Sequence, residues 1–251
     1  MSKKNFIKKI ILVSIIIMIV ILNIYTLFIL KERKKDENNN KEILNTINNN
    51  IDIKTTTPSP ESKINILDVD LTNLIKINTD TKGYLKVDGT NISYPFVQTT
   101  NNEFYLNHSF DKSKNNIGFI FLDYRNNIDN LDNNTILYGH NRLTGSMFGS
   151  LKNLLNKDYQ NSSNHYIYIS SFNHNYVFEV FSTYITSNET YYLQTSFKDD
   201  KSYNEFLTTI KNRSTYNFNV DLTSTDKILT LSTCSGLDNR LVVHAKLVEQ
   251  E

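Results

Sequence analysis

Cys234 is the only cysteine in a chain of 251 residues, and five histidines are available to serve it. It stands in Ile228-Leu229-Thr230-Leu231-Ser232-Thr233-Cys234-Ser235-Gly236, an apolar strand pattern that runs into the thiol and then into a Gly-containing loop. A strand end is a rigid mount from which a side chain can face a cleft. A thiol with a pKa of about 8.5 needs a neighbouring base or cation before it acts as a nucleophile. The competing reading is a buried Cys serving as a small hydrophobe. The Ser, Thr and Gly around it weaken that reading without removing it. A single Cys excludes an intramolecular disulfide framework and any Cys-rich zinc site.

His140 closes a second strand pattern, Thr135-Ile136-Leu137-Tyr138-Gly139-His140-Asn141. His108, His165 and His174 sit in polar, loop-like contexts and read as solvated. His244 interrupts Leu241-Val242-Val243 and Ala245, and reads as a satisfied side chain on one sheet face. The five histidines show no HExxH or comparable ligand spacing, so they give a metal site little support. Arg240 opens the last strand, six residues after Cys234. On its own it is a surface charge; beside a strand-end Cys it is a cation that stabilises an oxyanion or holds a substrate backbone.

These residues depend on strands to bring them together. Strand patterns cover Gly83–Val87, followed by the turn signal Asp88-Gly89, then Ile92–Val97, Gly118–Leu122 and Asn134–Tyr138. Further patterns cover Tyr166–Ser170, Tyr176–Thr186, Lys227–Ser232 and Leu241–Val248. Helical spacing is rarer: Leu67–Ile77, Ser146–Leu155, and Asp199–Lys211, where Tyr203, Phe206, Leu207 and Ile210 share a face. Asp199 and Asp200 favour the start of the last of these through the helix dipole. Many short strands and few helices predict a β-barrel or sandwich with helical insertions.

The charge is unevenly spread. The chain has a formal net charge of +1, yet residues 1–35 hold eight of the 27 basic side chains and one of the 26 acidic ones, leaving the remainder at −6. An acidic body is a poor match for nucleic acid. Residues 10–30 form a nearly unbroken apolar run between lysine-rich flanks, long enough to cross a bilayer as a helix. A cleaved signal peptide is the alternative, but the run is longer than an ordinary signal core and no small-residue cleavage site follows Leu30. The flanking charges are nearly matched and do not orient the span. The sequence therefore reads as a short N-terminus (1–9), a transmembrane anchor (10–30), a polar stem (31–63) and a folded body (64–251). Ile43, Leu44, Ile47 and Ile51 give the stem one helical face.

Tyr138-Gly139-His140-Asn141, Thr230-Leu231-Ser232-Thr233-Cys234 and Arg240 leading into a strand resemble the sortases, cysteine transpeptidases of Gram-positive cell surfaces. Class B is resembled in particular by residues 88–98 (Asp88-Gly89-Thr90 through Gln98), Phe104-Tyr105-Leu106-Asn107, residues 118–126, Gly145-Ser146-Met147-Phe148 and a helical segment from Asp199 to Arg213. The resemblance runs from about residue 70 to 248, with its pieces in the family's order. It implies a mainly β fold: an eight-stranded sortase-type barrel with an N-terminal helix and a helix in the loop before the Cys strand, preceded by one transmembrane helix. It implies that Cys234 attacks the Thr carbonyl of a C-terminal sorting signal, with His140 as general acid and base and Arg240 stabilising the oxyanion or positioning the peptide. Asn102, Leu106, Tyr192, Leu193, Ser232 and Thr233 are the implied substrate groove. The implied partners are surface proteins bearing the sorting motif and a peptidoglycan amine, from lipid II or the wall; no cofactor, metal or nucleic acid is implied. The N-terminus would be cytoplasmic and the body extracellular. The Cys234–Arg240 connection is shorter than in the staphylococcal class B type. Ser235 and Gly236 stand where an acidic residue often follows the Cys; Asp238 is the nearest carboxylate and takes no assigned role. The alternatives are a non-catalytic wall-binding or scaffold domain, and a hydrolytic cysteine protease.

Overall fold

This computed structural model describes residues 3–56, 64–162, 164–187, 189–235 and 239–251, with the side chains of residues 3–6, 56, 234 and 235 outside the description. The chain forms two compact units, Met1–Glu42 and Ile43–Glu251. The first lies in the long helix α1 (Lys3–Asn48). Ile10, Leu12, Ile16, Met18, Leu22 and Leu27 are all exposed along it, and the helix is long and apolar enough to cross a membrane.

The second unit is built on a closed barrel of eight strands. In chain order these are β3 (Thr81–Val87), β4 (Ser93–Val97), β5 (Phe121–Leu122), β6 (Asn134–Tyr138), β7 (Tyr166–Ser171), β8 (Asn175–Ser187), β9 (Ile228–Ser235) and β10 (Asn239–Gln250). Around the barrel they run β10-β8-β7-β3-β4-β5-β6-β9, and β9 closes onto β10. Closure leaves no unpaired sheet edge. Neighbours are antiparallel except β4 with β5 and β6 with β9, which are parallel. Leu85, Val87, Phe96, Leu137, Ile167, Ile169, Phe178, Leu229 and Leu231 fill the interior and are nearly or fully buried.

Two smaller strands, β1 (Asp52–Thr56) and β2 (Ile66–Asp70), pair antiparallel beside the barrel. The polar segment read as a stem thus contributes to the folded unit in its second half. Ile47 is buried in the main core, and Ile43, Leu44 and Ile51 pack against it. Residues 57–63, including Pro58 and Pro60, lie outside the description.

Three local expectations differ from the structure. The helical spacing over Leu67–Ile77 divides into β2 and the short helix α2 (Thr72–Ile77). Within it, Leu67 and Val69 are buried while Asp68 and Asp70 are exposed, a period-two pattern that pairing with β1 selects. The strand over Gly118–Leu122 shrinks to Phe121–Leu122, because Gly118 adopts a φ of 66° that breaks extended geometry. The helix over Ser146–Leu155 becomes a 3-10 turn at Leu151–Leu155, since Met147 has a φ of 52° and blocks earlier helical winding.

A four-residue helix, α3 (Lys157–Gln160), precedes β7. Helix α4 (Asp200–Asn212) forms as its spacing predicts. Asp199 caps it: its Oδ1 accepts from the Ser202 amide at 2.8 Å, and Ser202 Oγ accepts from the Asp199 amide at 3.1 Å. Tyr203, Phe206, Leu207 and Ile210 bury its apolar face in a second core with Phe181, Tyr184, Tyr192 and Val242. That core secures the connection between β8 and β9, which supplies one wall of the cleft described next.

Candidate active site

The parallel pair β6–β9 sets the geometry. Tyr138 is the register partner of Ser232, and the Gly139 amide reaches the Ser232 carbonyl at 3.3 Å. His140 and Cys234 each lie two residues beyond those partners, at the same end of neighbouring strands. On the other side of β9, the antiparallel register places Arg240 directly opposite Cys234. The Cys234 backbone therefore lies between the strand that delivers His140 and the strand that carries Arg240. Asp238 and Gly236 lie outside the described residues.

These strand ends open into a cleft of about 320 Å³. Asn102, Leu106, His140, Tyr192, Leu193, Ser232, Thr233 and Arg240 all line it, so every proposed site residue whose side chain is described converges there. Phe121, Tyr138, Gly139, Glu189 and Thr190 line it too and were not singled out. Nothing local marks Glu189 as a cleft residue. Tyr138 and Gly139 lie within the segment carrying His140 and read in the sequence only as its strand.

His140 is half-buried, and its Nε2 lies 2.8 Å from the Leu106 carbonyl. A carbonyl only accepts, so Nε2 bears the proton and Nδ1 is the basic nitrogen of the neutral ring. No described residue bonds Nδ1. The ring packs so tightly that a Cβ at Gly118 would come within 2.7 Å of His140 Cδ2. Gly118 is thus required both by its positive φ and by the close approach of the imidazole.

Arg240 is half-buried, and its Nη1 donates to its neighbour's carbonyl, Asn239, at 3.0 Å. No carboxylate among the described residues forms an ion pair with it. Thr233 is buried, and its Oγ1 has no hydrogen-bond partner among the described residues.

Beneath the cleft, Asp123 is fully buried and organises its floor. Arg125 grips it with Nε on Oδ1 and Nη2 on Oδ2, both at 2.8 Å. Tyr138 Oη donates to Oδ2 at 2.8 Å and Asn102 Nδ2 at 3.0 Å. Burial pushes the Asp123 carboxyl up, but the Arg125 side chain and amide, the Tyr138 hydroxyl and the Arg125 charge outweigh it and hold the group below its ordinary value. Burial and the Asp123 charge raise the Tyr138 phenol. Asn102 Oδ1 also accepts from the Tyr124 amide at 3.0 Å, so its side chain is fastened at both ends. On the far wall, Tyr192 is buried and its hydroxyl meets Ser232 Oγ at 3.0 Å. Glu189 pairs with Arg213.

The remaining histidines stand apart from the cleft. His244 is fully buried and hydrogen-bonded through both ring nitrogens, as a satisfied sheet residue. His108, His165 and His174 are half-buried rather than solvated. His108 stacks on Phe104 at 4.0 Å and His165 bonds the Tyr159 carbonyl at 2.8 Å, contacts that need no apolar sequence signal.

The Sortase domain family model matches residues 85–248. Sortase B of Listeria monocytogenes is 39% identical over 183 residues, covering 71% of this chain and 74% of that protein. A structure of sortase B from Bacillus anthracis in complex with AAEK1 superposes with a TM-score of 0.74 at 36% identity, covering 86% of this chain and 99% of that one. A Staphylococcus aureus sortase B–substrate complex gives 0.66 at 38% identity, covering 70% and 83%.

Proposed function

Because this chain belongs to the sortase family, we propose that it is a membrane-anchored transpeptidase that cuts a C-terminal sorting signal after Thr and passes the new end to a peptidoglycan amine. One observation carries the reading: Arg240 is the register partner of Cys234, and His140 follows two residues after the last β6–β9 pair, Tyr138 with Ser232, at the same end of β9.

In the first half-reaction the Cys234 thiol gives its proton to His140 Nδ1 as its sulfur attacks the Thr carbonyl carbon, and the carbonyl oxygen becomes an oxyanion beside the Arg240 guanidinium. The C–N bond then breaks. The leaving amine takes its proton from His140, and a thioester joins the surface protein to Cys234. In the second half-reaction an acceptor amine attacks the thioester and gives a proton to His140. The C–S bond breaks, the departing sulfur takes that proton from His140 to restore the thiol, and a new amide holds the surface protein. The apolar cleft side formed by Leu106, Tyr192 and Leu193 suits an extended peptide carrying apolar side chains. Asn102, Ser232 and Thr233 supply the polar groups of that groove. Helix α1 anchors the enzyme by a single pass, with residues 1–9 in the cytoplasm and the barrel outside.

The test uses the full chain in detergent micelles with a library of peptides varying in a C-terminal pentapeptide, plus an amine such as triglycine. A ligated peptide–amine product is expected, with none from Cys234→Ala. Free acid alone, even with amine in excess, would make the chain a hydrolase. Turnover by Cys234→Ala at the wild-type rate would refute the thioester route.

A further inference from the structure

Three consecutive carbonyls of the cleft wall are held by side chains rather than left to water. Asn134, at the start of β6, donates through Nδ2 to the carbonyls of Tyr192 at 3.1 Å and Gln194 at 2.8 Å. Arg125 Nη2 donates to the carbonyl between them, Leu193, at 3.0 Å. The segment is a single 3-10 turn, Tyr191–Leu193, which has little internal bonding to hold its shape.

Asn134 is itself oriented by a buried chain of hydrogen bonds with one consistent direction. Its Oδ1 accepts from Thr230 Oγ1 at 2.6 Å. That uses the only hydroxyl hydrogen of Thr230, so Thr230 Oγ1 accepts from His244 Nδ1 at 2.8 Å. Nε2 of the neutral His244 ring then accepts from the Tyr184 hydroxyl at 2.9 Å. Asn134, Thr230 and His244 are fully buried, which makes any break in the chain expensive. Arg125 is oriented independently, by its two-point grip on Asp123.

We propose that Asn134 and Arg125 are positioning residues for the transfer reaction: they set residues 192–194 in substrate-receiving geometry before the peptide arrives, with Thr230 and His244 orienting Asn134. The proposal rests on the transpeptidase reading above. A wall ordered in advance spares the peptide the cost of ordering it, so its loss falls on binding and not on bond-making.

The experiment follows hydrogen exchange over residues 190–196 and steady-state transfer kinetics on the full chain in micelles. Thr230→Val, which breaks the relay, and Arg125→Lys, which removes the second donor, should each raise exchange in this segment about tenfold. Exchange in β8 and β10 should stay unchanged. KM for the sorting peptide should rise about tenfold while kcat and the rate of Cys234 alkylation by iodoacetamide stay within about twofold. Thr230→Ser, which keeps the hydroxyl, should restore wild-type behaviour. Unchanged exchange in both variants overturns the clamp, and raised exchange with an unmoved KM overturns its role in the reaction. If the wild-type chain yields no ligated product with any peptide, the transfer reading and the positioning role fail together. Raised exchange in the variants separates that case from failure of the clamp itself.

Discussion

The His140 imidazole and the Leu106 carbonyl are joined by a 2.8 Å hydrogen bond from Nε2. The bond fixes which nitrogen is basic, and it ties His140 to a turn that also lines the cleft. In the proposed transfer reaction Nδ1 is therefore the nitrogen that would exchange protons with the leaving and attacking amines. His140→Ala should lower kcat/KM for peptide transfer about a hundredfold to ten-thousandfold. Peptide kinetics with the alkylation rate of Cys234 as a control would check this.

Gly118→Ala should damage the same residue indirectly. The new Cβ would meet His140 Cδ2 and the Tyr105 carbonyl at 2.7 Å, at a φ of 66° that disfavours side chains. A loss of more than about 1 kcal/mol of stability is expected. Thermal unfolding would show it, and transfer activity should fall with the displaced ring.

Among the described residues Arg240 donates only to the Asn239 carbonyl, and no described carboxylate pairs with it. Arg240→Ala should cost about a hundredfold to thousandfold in kcat, the magnitude of losing an oxyanion donor. Arg240→Lys keeps the charge but loses the planar fork, so intermediate activity is expected. Equal activity in Lys and Arg proteins would reduce the role to charge alone.

His244 predicts how stability depends on pH. Burial depresses its folded-state pKa from 6.5 to about 3, with the Arg213 charge adding to the effect. The unfolded chain therefore binds a proton between those values and the folded chain does not. The stability contribution is complete above pH 6.5 and is lost as pH falls toward 3, with a limiting slope of about 1.4 kcal/mol per pH unit. Denaturant unfolding at pH 7.5, 6.0 and 5.0 would measure it. His244→Gln, which cannot titrate, should flatten the slope.

Asp123→Asn should loosen the cleft floor. It leaves Arg125 without its charge partner and weakens the bonds from Tyr138 and Asn102. The carboxylate is fully buried while the Arg125 side chain is 38% exposed, so the loss should be on the order of 2–3 kcal/mol, below that of a fully buried pair. Thermal unfolding above pH 6 would register it. A variant as stable as wild type would show that the floor holds by packing alone.

Topology can be tested at Leu143, which is fully exposed in the loop after His140. Leu143→Cys in a Cys234→Ala background should react with a membrane-impermeant maleimide on intact cells. Labelling only after lysis would place the barrel on the other side of the membrane.

The barrel and the cleft were legible in the sequence to different degrees. β3, β6, β7 and β8 carry strong apolar runs or alternation between turn signals, so periodicity alone finds them. β2 was hidden because Leu67, Leu71, Leu74 and Ile75 satisfy a helical spacing that only pairing with β1 overrules. Cys234, His140 and Arg240 were legible as strand-end residues and as parts of motifs. The ties that shape the cleft were not. Asn134 and Thr230 read as ordinary polar positions in strands and meet across 96 residues of chain. Arg125 bonds a carbonyl 68 residues away. Such contacts leave no periodicity, because they depend on which strands the barrel makes neighbours.

The parallel pairing of β6 and β9 separates two tasks. Five register pairs, from Asn134 with Ile228 to Tyr138 with Ser232, determine how far His140 stands from the Cys234 backbone. Parallel neighbours cannot be joined by a tight turn, so the chain makes a long excursion between them, and Glu189, Thr190, Tyr192 and Leu193 lie on that excursion. The recognition wall is thus a replaceable part. On the proposed transfer reading, it could be lengthened, exchanged or re-sequenced to accept a different peptide while the spacing of His140 and Cys234 stays under the control of the ladder.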